Sequence, residues 1–482
     1  MNSKKIAVVS ALALALVLGV IIFGGRTTRA AAPVCTVGPA GDYTTIQGAV
    51  NDPSCTTINV AAGIYNELVA IGRTVTLNGA QVGIDARTRV VPNESVVGSP
   101  NGAFQILANN VVIDGFTIQD VNADQHLGPG LGAGIWTNPA ASGTHGGHQI
   151  RNNIIQNNII GIELDNDGTL QAKVEHNLIQ NNNANADGAD NGTGIDTNFG
   201  LINAVIDSNK FVGHINSGID AVNAGGSNIT YSNNEFDSNR RAIGLLRVTS
   251  SAITSNNIHN STSPDNTADI RIFGGVSSLS ISCNTLAGAP GRAIRVNDGF
   301  GVGPNSSITI NHNNISGYPI GLEENLGGYV GGFNSLNAKS NWWGSSTGPT
   351  IVSNPGGTGE IIIDEDSVID YSSFLTSLSI CAPCPNSNPG CTTNKKDCHQ
   401  YVEQQEKNFN DGQKDAKKAF EDCQKTEKKN FDSTPHTPAQ KKAFEDQQKI
   451  DKKNFDDQQK AAKDAFQVQY KAMEQQCNQL PK

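Results

Sequence analysis

Between about residues 113 and 343 apolar and polar positions alternate, and no stretch keeps an apolar stripe at helical spacing. Alternation of period two puts every second side chain on one face, which predicts strands. One phrase recurs through this region: an apolar residue, two spacers, Asn, one spacer, then Ile, Leu, Phe or Trp. Examples are Val174-x-x-Asn177-x-Ile179, Ile206-x-x-Asn209-x-Phe211 and Ile281-x-x-Asn284-x-Leu286. The asparagines are Asn153, Asn177, Asn209, Asn234, Asn256, Asn284, Asn313 and Asn341, spaced 22 to 32 residues apart. A unit of this length cannot bury its apolar face alone and must stack on its neighbours. Stacked amides can hydrogen-bond from coil to coil, and Asn tolerates the backbone angles of a corner. The series therefore reads as a structural Asn ladder in a parallel β-helix.

Each coil carries a second strand: Gly161-Ile-Glu-Leu164, Gly194-Ile-Asp-Thr197, Gly218-Ile-Asp-Ala221, Ala242-Ile-Gly-Leu245, Asp269-Ile-Arg-Ile272 and Ala293-Ile-Arg-Val296. Ile and Leu are expected to point in and the residue between them out. The chain opens with Gly41-Asp-Tyr-Thr-Thr-Ile-Gln47, where Thr44 or Thr45 can cap a short helix that buries Ile46, Ala49 and Val50. Such a helix would cover an end coil whose interior and strand edges are otherwise open. At the far end Asn341-Trp342-Trp343-Gly344 supplies a Trp to seal the last coil.

Composition changes after about residue 380. Residues 394–482 hold 18 Lys, no Arg and 16 Asp plus Glu, a net of +2, which leaves −12 of the total −10 to the rest. Neither part offers the basic face that nucleic acid requires. In the tail Phe409, Phe420 and Phe431 recur at eleven, as do Phe444, Phe455, Phe466 and Cys477. Eleven residues make three helical turns, so each series forms one stripe on a helix. Ser433–Pro438 interrupts the register, with Thr437 as N-cap and Pro438 at the first helical position. An antiparallel α-helical hairpin with 11-residue repeats follows, which suits a stalk or self-association element.

The expected boundaries are 1–32 for a signal peptide or N-terminal anchor, 33–380 for the β-helix, 381–397 for a Cys- and Pro-rich linker, and 398–482 for the tail. Lys4, Lys5, the apolar run to Phe23 and Ala30-Ala31-Ala32 carry the first assignment. No other membrane span is expected, and the chain is placed outside the cell or at its surface. Cysteines in an exported chain imply disulfides. Cys35 is expected to pair with Cys55, and Cys398 with Cys477. Cys283 reads as a buried free thiol, while the pairing of Cys381, Cys384, Cys391 and Cys423 stays open.

Residues 35–375 resemble the right-handed parallel β-helix proteins of the pectin-lyase-like type. Gly41–Gln47 with Ala62-Gly63-Ile64-Tyr65 is similar to the start of pectinesterase-type chains. The coils and Asn341-Trp342-Trp343-Gly344 resemble the NosD-like group of repeat proteins. The resemblance implies a mainly β fold, a single-stranded right-handed parallel β-helix with an N-terminal cap helix, on which the helical tail follows. It implies lyases, hydrolases, epimerases, adhesins and structural proteins alike. Pectinesterase and polygalacturonase phrases are missing: Thr144-His-Gly-Gly-His148 and Arg271-Ile-Phe273 stand without paired Asp. The histidines follow no repeated metal-ligand pattern, and His145 and His148 read as surface residues.

Stacking places equivalent outward residues about 4.8 Å apart. In the second strand that column is Trp136, Glu163, Asp196, Asp220, Gly244, Arg271 and Arg295. Trp136, Glu163, Asp196 and Asp220 are the candidate ligand-binding residues, for a polysaccharide, a cell-wall component or a Ca²⁺ ion; no other cofactor is indicated. The bland alternative is a solvated charged face that keeps the rod soluble. As an enzyme, the chain would be a lyase or epimerase on acidic glycans, using Glu163, Asp196, Asp220, Arg271 and Arg295, with Lys210 and His214 as further candidate bases.

Overall fold

The computed structural model describes residues 34–89, 93–123, 132–137, 145–184, 191–197, 200–262, 267–379 and 381–383, with individual positions between 399 and 471. The leader 1–32 and Cys384, Cys391, Cys398, Cys423 and Cys477 lie outside the described residues, and the pairing expected for Cys398 and Cys477 lies there with them. The chain divides into two compact units, residues 1–377 and 378–482. No helix among the described residues is long and apolar enough to cross a membrane.

The first unit is built by repetition of one circuit. Strand Gln149–Arg151 is followed by Ile154–Gln156 and Ile160–Glu163, and the chain then returns beside its start at Asn166–Glu175. Repeating the circuit stacks the described strands into three parallel sheets of thirteen, ten and twelve strands, here called A, B and C in the order visited. This is a parallel β-helix. Its interior is filled by like residues in register. On sheet A, Ile150, Val174, Ile206, Tyr231, Ile253, Ile281 and Ile310 form one column. On sheet B, Ile155, Ile179, Phe211, Phe236, Ile258, Leu286 and Ile315 form another. The Phe211 and Phe236 rings stack face to face with centroids 4.8 Å apart. Burying each such side chain contributes about 1.5–3 kcal/mol.

The corner between sheets A and B is made by two adjacent residues with different tasks. All eight recurring asparagines are buried. From Asn177 onward Oδ1 accepts from the backbone N–H and the Nδ2 of the previous asparagine, as between Asn234 and Asn209 at 2.9 and 3.1 Å, and Asn153 Oδ1 accepts from Phe116 N–H. The left-handed backbone belongs to the residue before: Asn152, His176, Ser208, Asn233, Ser255, Cys283, His312 and Ser340 all have φ between 52° and 57°. That conformation costs an L-residue about 1–2 kcal/mol, which the amide ladder offsets.

This corner corrects the reading of Cys283. At φ 57° it has left the alternation of the strand and is half-buried, and it is disulfide-bonded rather than free; Cys381 is disulfide-bonded as well. His148 is corrected too. It sits two residues before Ile150, on the same inward side, and is fully buried. Burial lowers its pKa to about 4, with the nearby His145 acting in the same direction.

At the N-terminus Thr45 caps helix Ile46–Asn51, its Oγ1 accepting from Gly48 N–H. Glu67 accepts from the free N–H groups of Ile46 and Gln47 at 2.9 and 3.0 Å, and Cys35 is bonded to Cys55. Trp343 is fully buried in the last coils. In the second unit the described positions from 399 to 432 and from 438 to 471 are helical. There the rings of Phe431 and Phe444 stack with centroids 4.2 Å apart, and Gln424 Nε2 donates to Gln448 O at 3.0 Å.

Candidate functional site

The column foreseen on sheet C runs in strict register. Trp136 pairs with Glu163, Glu163 with Asp196, Asp196 with Asp220, Asp220 with Gly244, Gly244 with Arg271, and Arg271 with Arg295. Gln105 precedes the series and Glu323 follows it. These residues do not stand in solvent. Glu163, Asp196 and Asp220 are 0, 4 and 7 % exposed, so the picture of a solvated charged face does not hold. Trp136 is also buried and packs with Ala133, Ile159 and Ile160 in a cluster separate from the main interior.

The acidic half meets the basic half at Gly244. A side chain there would collide with Asp220 Oδ1 and Arg241 Nη1 and press on the Phe273 ring. Without one, Arg241 reaches across to Asp220 Oδ1 at 3.1 Å and to Ser217 Oγ at 3.0 Å. Its guanidinium also lies 5.0 Å from the Phe273 ring centre. Arg271 covers the same ring at 4.3 Å, and Phe300, 57 % exposed, tilts against it at 5.0 Å.

Arg271 is the distinctive group. Among the described residues it has neither a hydrogen-bond nor an ion-pair partner, and its Nε is buried. Desolvation, followed by repulsion from Arg295, Arg241, Arg240 and Arg292, lowers its pKa to about 10. Three of the four surrounding arginines have acceptors: Arg241 bonds Asp220, Arg295 Nε donates to Asn325 Oδ1 at 2.8 Å, and Arg292 and Arg295 both face the Glu323 carboxylate. A desolvated guanidinium among like charges, seated on the Phe273 ring, is a place where an anion would be strongly favoured.

Other candidates fall elsewhere. Lys210 is on sheet B, paired with Glu235 Oε1 at 3.0 Å. His214 lies inside the rod, where its Nδ1 faces Asn239 Oδ1 at 2.7 Å and its Nε2 faces Asn182 Nδ2 at 3.2 Å. Neither can act as a base beside Arg271. Arg240, Arg241 and Arg292 escaped the sequence reading because they stand outside the Ile-x-Ile centre of the strand phrase. The nearest clue was Arg240-Arg241 directly before a recognised strand.

No family model matches this sequence, and no curated protein does. Among solved structures the chain is similar to the catalytic domain of a GH87 alpha-1,3-glucanase in complex with tetrasaccharides. That match has a TM-score of 0.41 and 16 % identity, over 71 % of this chain and 69 % of that one. It is also similar to PfbA, a surface adhesin of Streptococcus pneumoniae, with a TM-score of 0.30 and 13 % identity over 58 % of this chain and 81 % of that one. Both likenesses are distant; the fold and the site rest on the register and contacts above.

Proposed function

We propose that this protein is an extracellular binding module whose sheet C takes an acidic polysaccharide, with Arg271 anchoring a carboxylate or sulfate of the glycan. The observation that carries the reading is the Arg271 guanidinium, set over Phe273 among four other arginines with no hydrogen-bond or ion-pair partner among the described residues. The exposed Phe300, seated against the buried Phe273 ring, supplies an apolar surface for a sugar ring near that charge. Disulfide chemistry at Cys35 and Cys55 suits an oxidising compartment. A Ca²⁺ ion, if one is held, would be taken by Glu163, Asp196 and Asp220, the three carboxylates that stand in register. The tail, folded back as a helical hairpin, serves as spacer or self-association element.

Binding isotherms for polygalacturonate, dextran sulfate and neutral dextran test the reading. The acidic polymers should bind and weaken with salt, and Arg271→Ala should weaken them tenfold or more. Equal binding of neutral dextran, or no effect of Arg271→Ala, would sink it.

A geometric arrangement favours a second reading, a lyase: Arg271 and Arg295 stand in register in the same column as Glu163, Asp196 and Asp220, so cations that would neutralise a uronate share one strand face with candidate bases. In that reaction the base removes the proton α to the uronate carboxylate. The C4–O bond breaks as the C4–C5 double bond forms, and the leaving oxygen is protonated. Ultraviolet absorbance of unsaturated uronate ends in the same mixtures separates enzyme from binder.

A further inference from the structure

Sheet B carries a second polar constellation, on a different sheet from the arginine-bearing strands of sheet C. The inward residues Phe236 and Ile258 are fully buried, so alternation puts Glu235, Asp237, Asn257 and His259 on the other face. Glu235 and Asp237 are two apart on one strand, and Asp237 pairs directly with His259 on the next. Two ligands from one strand and a third from its neighbour can converge on a single point.

We propose that Asp237, His259 and Asn260 form a site for a borderline divalent metal ion of the Zn²⁺ type, with Glu235 orienting the imidazole from behind. His259 Nε2 lies 3.2 Å from Glu235 Oε1, and Lys210 Nζ lies 3.0 Å from the same oxygen. Glu235 thus accepts the Nε2–H and leaves the lone pair on Nδ1. A carboxylate behind a histidine is the usual means of fixing the tautomer of a metal ligand.

Nδ1 and Asp237 Oδ1 are 3.5 Å apart. Two ligands at about 2.1 Å from a tetrahedral ion are separated by about 3.4 Å. Both atoms already converge on one positive group, the Asn260 amide Nδ2, at 2.9 and 3.0 Å. An ion would take the place of those amide hydrogens, and a half-turn of the amide would offer its oxygen as a third ligand. His259 is 7 % exposed, so its desolvation is complete before binding, whereas Asn260 is exposed and leaves an entry path and room for water. A nitrogen and an acidic oxygen in this arrangement select Zn²⁺ or Co²⁺ over Ca²⁺ and Mg²⁺, which prefer all-oxygen shells.

The test is Co²⁺ titration of the full chain, read by visible d–d absorption, with Zn²⁺ competition. Wild type should show one saturable site that Zn²⁺ displaces. His259→Gln and Asp237→Asn should each abolish it, while Glu235→Gln should weaken it tenfold or more. His399→Gln, in the tail, should leave it unchanged. No d–d band at 1:1 Co²⁺ up to about 1 mM, or a band that survives His259→Gln, would overturn the proposal. Thiolate-to-cobalt charge transfer in place of a His-dependent band would overturn it too, by assigning the ion to cysteines. The thermal midpoint without metal, read for each variant, separates loss of the site from loss of the fold.

Discussion

Two amide ladders run inside this rod, one at each corner flanking sheet B, and they have fared differently. The first is asparagine in all eight rungs from Asn153 to Asn341. The second stands three residues after the inward residue of sheet B and reads Val121, Asn158, Asn182, His214, Asn239, Ser261, Ala289 and Tyr318. Both corners use the same backbone device. Asn157, Asn181, Gly213, Ser238, Asn260, Gly288 and Gly317 have positive φ, as do the residues before the first ladder. The difference lies in the side chains. An amide donates from Nδ2 and accepts twice at Oδ1 in one rigid plane, and each rung of the first ladder from Asn177 onward uses all of these bonds, so it stays Asn. The second ladder admits titratable groups, and it leads into sheet C, where the charged column lies. Tyr318 reaches past Ala289 to give its hydroxyl to Asp269 Oδ2 at 2.6 Å. Asp269 is fully buried, and desolvation raises its pKa to about 7.

The largest expected effect is a break in the unvaried ladder. Asn234→Ala removes two hydrogen bonds accepted by Oδ1 from Asn209 and two donated by Nδ2 to Ile206 O and Asn256 Oδ1. Several buried partners are left unpaired, each costing about 1–3 kcal/mol, so a loss of roughly 5 kcal/mol is expected. Asn239→Ala, in the interrupted ladder, removes three such bonds, two accepted from His214 and one donated to Phe211 O, and should cost less. Urea unfolding of the two variants measures the ratio; equal losses would remove the distinction between the ladders.

The smaller second effect depends on pH. His214 is neutral in the folded state because burial lowers its pKa from 6.5 to about 4. Its Nε2 must accept from Asn182 while Nδ1–H donates to Asn239 Oδ1, so a second proton would face a donor. Between pH 6.5 and about 4 the unfolded chain binds protons that the folded rod refuses, and stability falls as pH is lowered. His148 acts with the same sign. Asp269 acts with the opposite sign: its folded pKa is raised, so its contribution is full below 3.8 and is lost as pH rises to about 7. These trends mask one another in the wild-type curve, and the variant isolates one of them. His214→Asn, which restores an amide to the broken rung, should lose about 2 kcal/mol less than wild type between about pH 7 and pH 5. Identical slopes would mean that the folded rod takes up the His214 proton as readily as the unfolded chain does, so that burial does not hold it neutral.

The contrast also explains what could be read from the chain. The first ladder and the sheet C column follow strict spacings from a recognisable Ile, so both were legible. The second ladder was equally present, five residues after the first asparagine, but His214, Ser261, Ala289 and Tyr318 hid its period. Cys283 and His148 were misread because strand alternation was carried one residue too far in one case and stopped too early in the other. The arginine cluster was half seen. Arg271 and Arg295 lie in the phrase, whereas Arg240, Arg241 and Arg292 join through tertiary proximity that spacing does not encode. Burial of Glu163 was invisible for the same reason, since alternation gives a face and not what lies over it.

The smallest effect probes the interior of sheet A beside the unvaried ladder. Tyr231 occupies a column otherwise made of Ile and Val, and it is fully buried with no hydrogen-bond partner for its hydroxyl among the described residues. Burial pushes the phenol pKa far up, so it stays neutral throughout. An unpaired hydroxyl in an apolar interior costs about 1–3 kcal/mol, while the ring itself fills space that Phe would fill equally. Tyr231→Phe should therefore raise stability by about 1 kcal/mol in urea unfolding, with no change in the denaturant slope. Its neighbour Asn234, three residues on, should lose stability on any substitution. A gain at one position and losses at the other would show that repetition in this rod marks hydrogen-bond need and not burial alone. If Tyr231→Phe destabilises instead, its hydroxyl has a partner in the folded rod, and the column is not purely apolar.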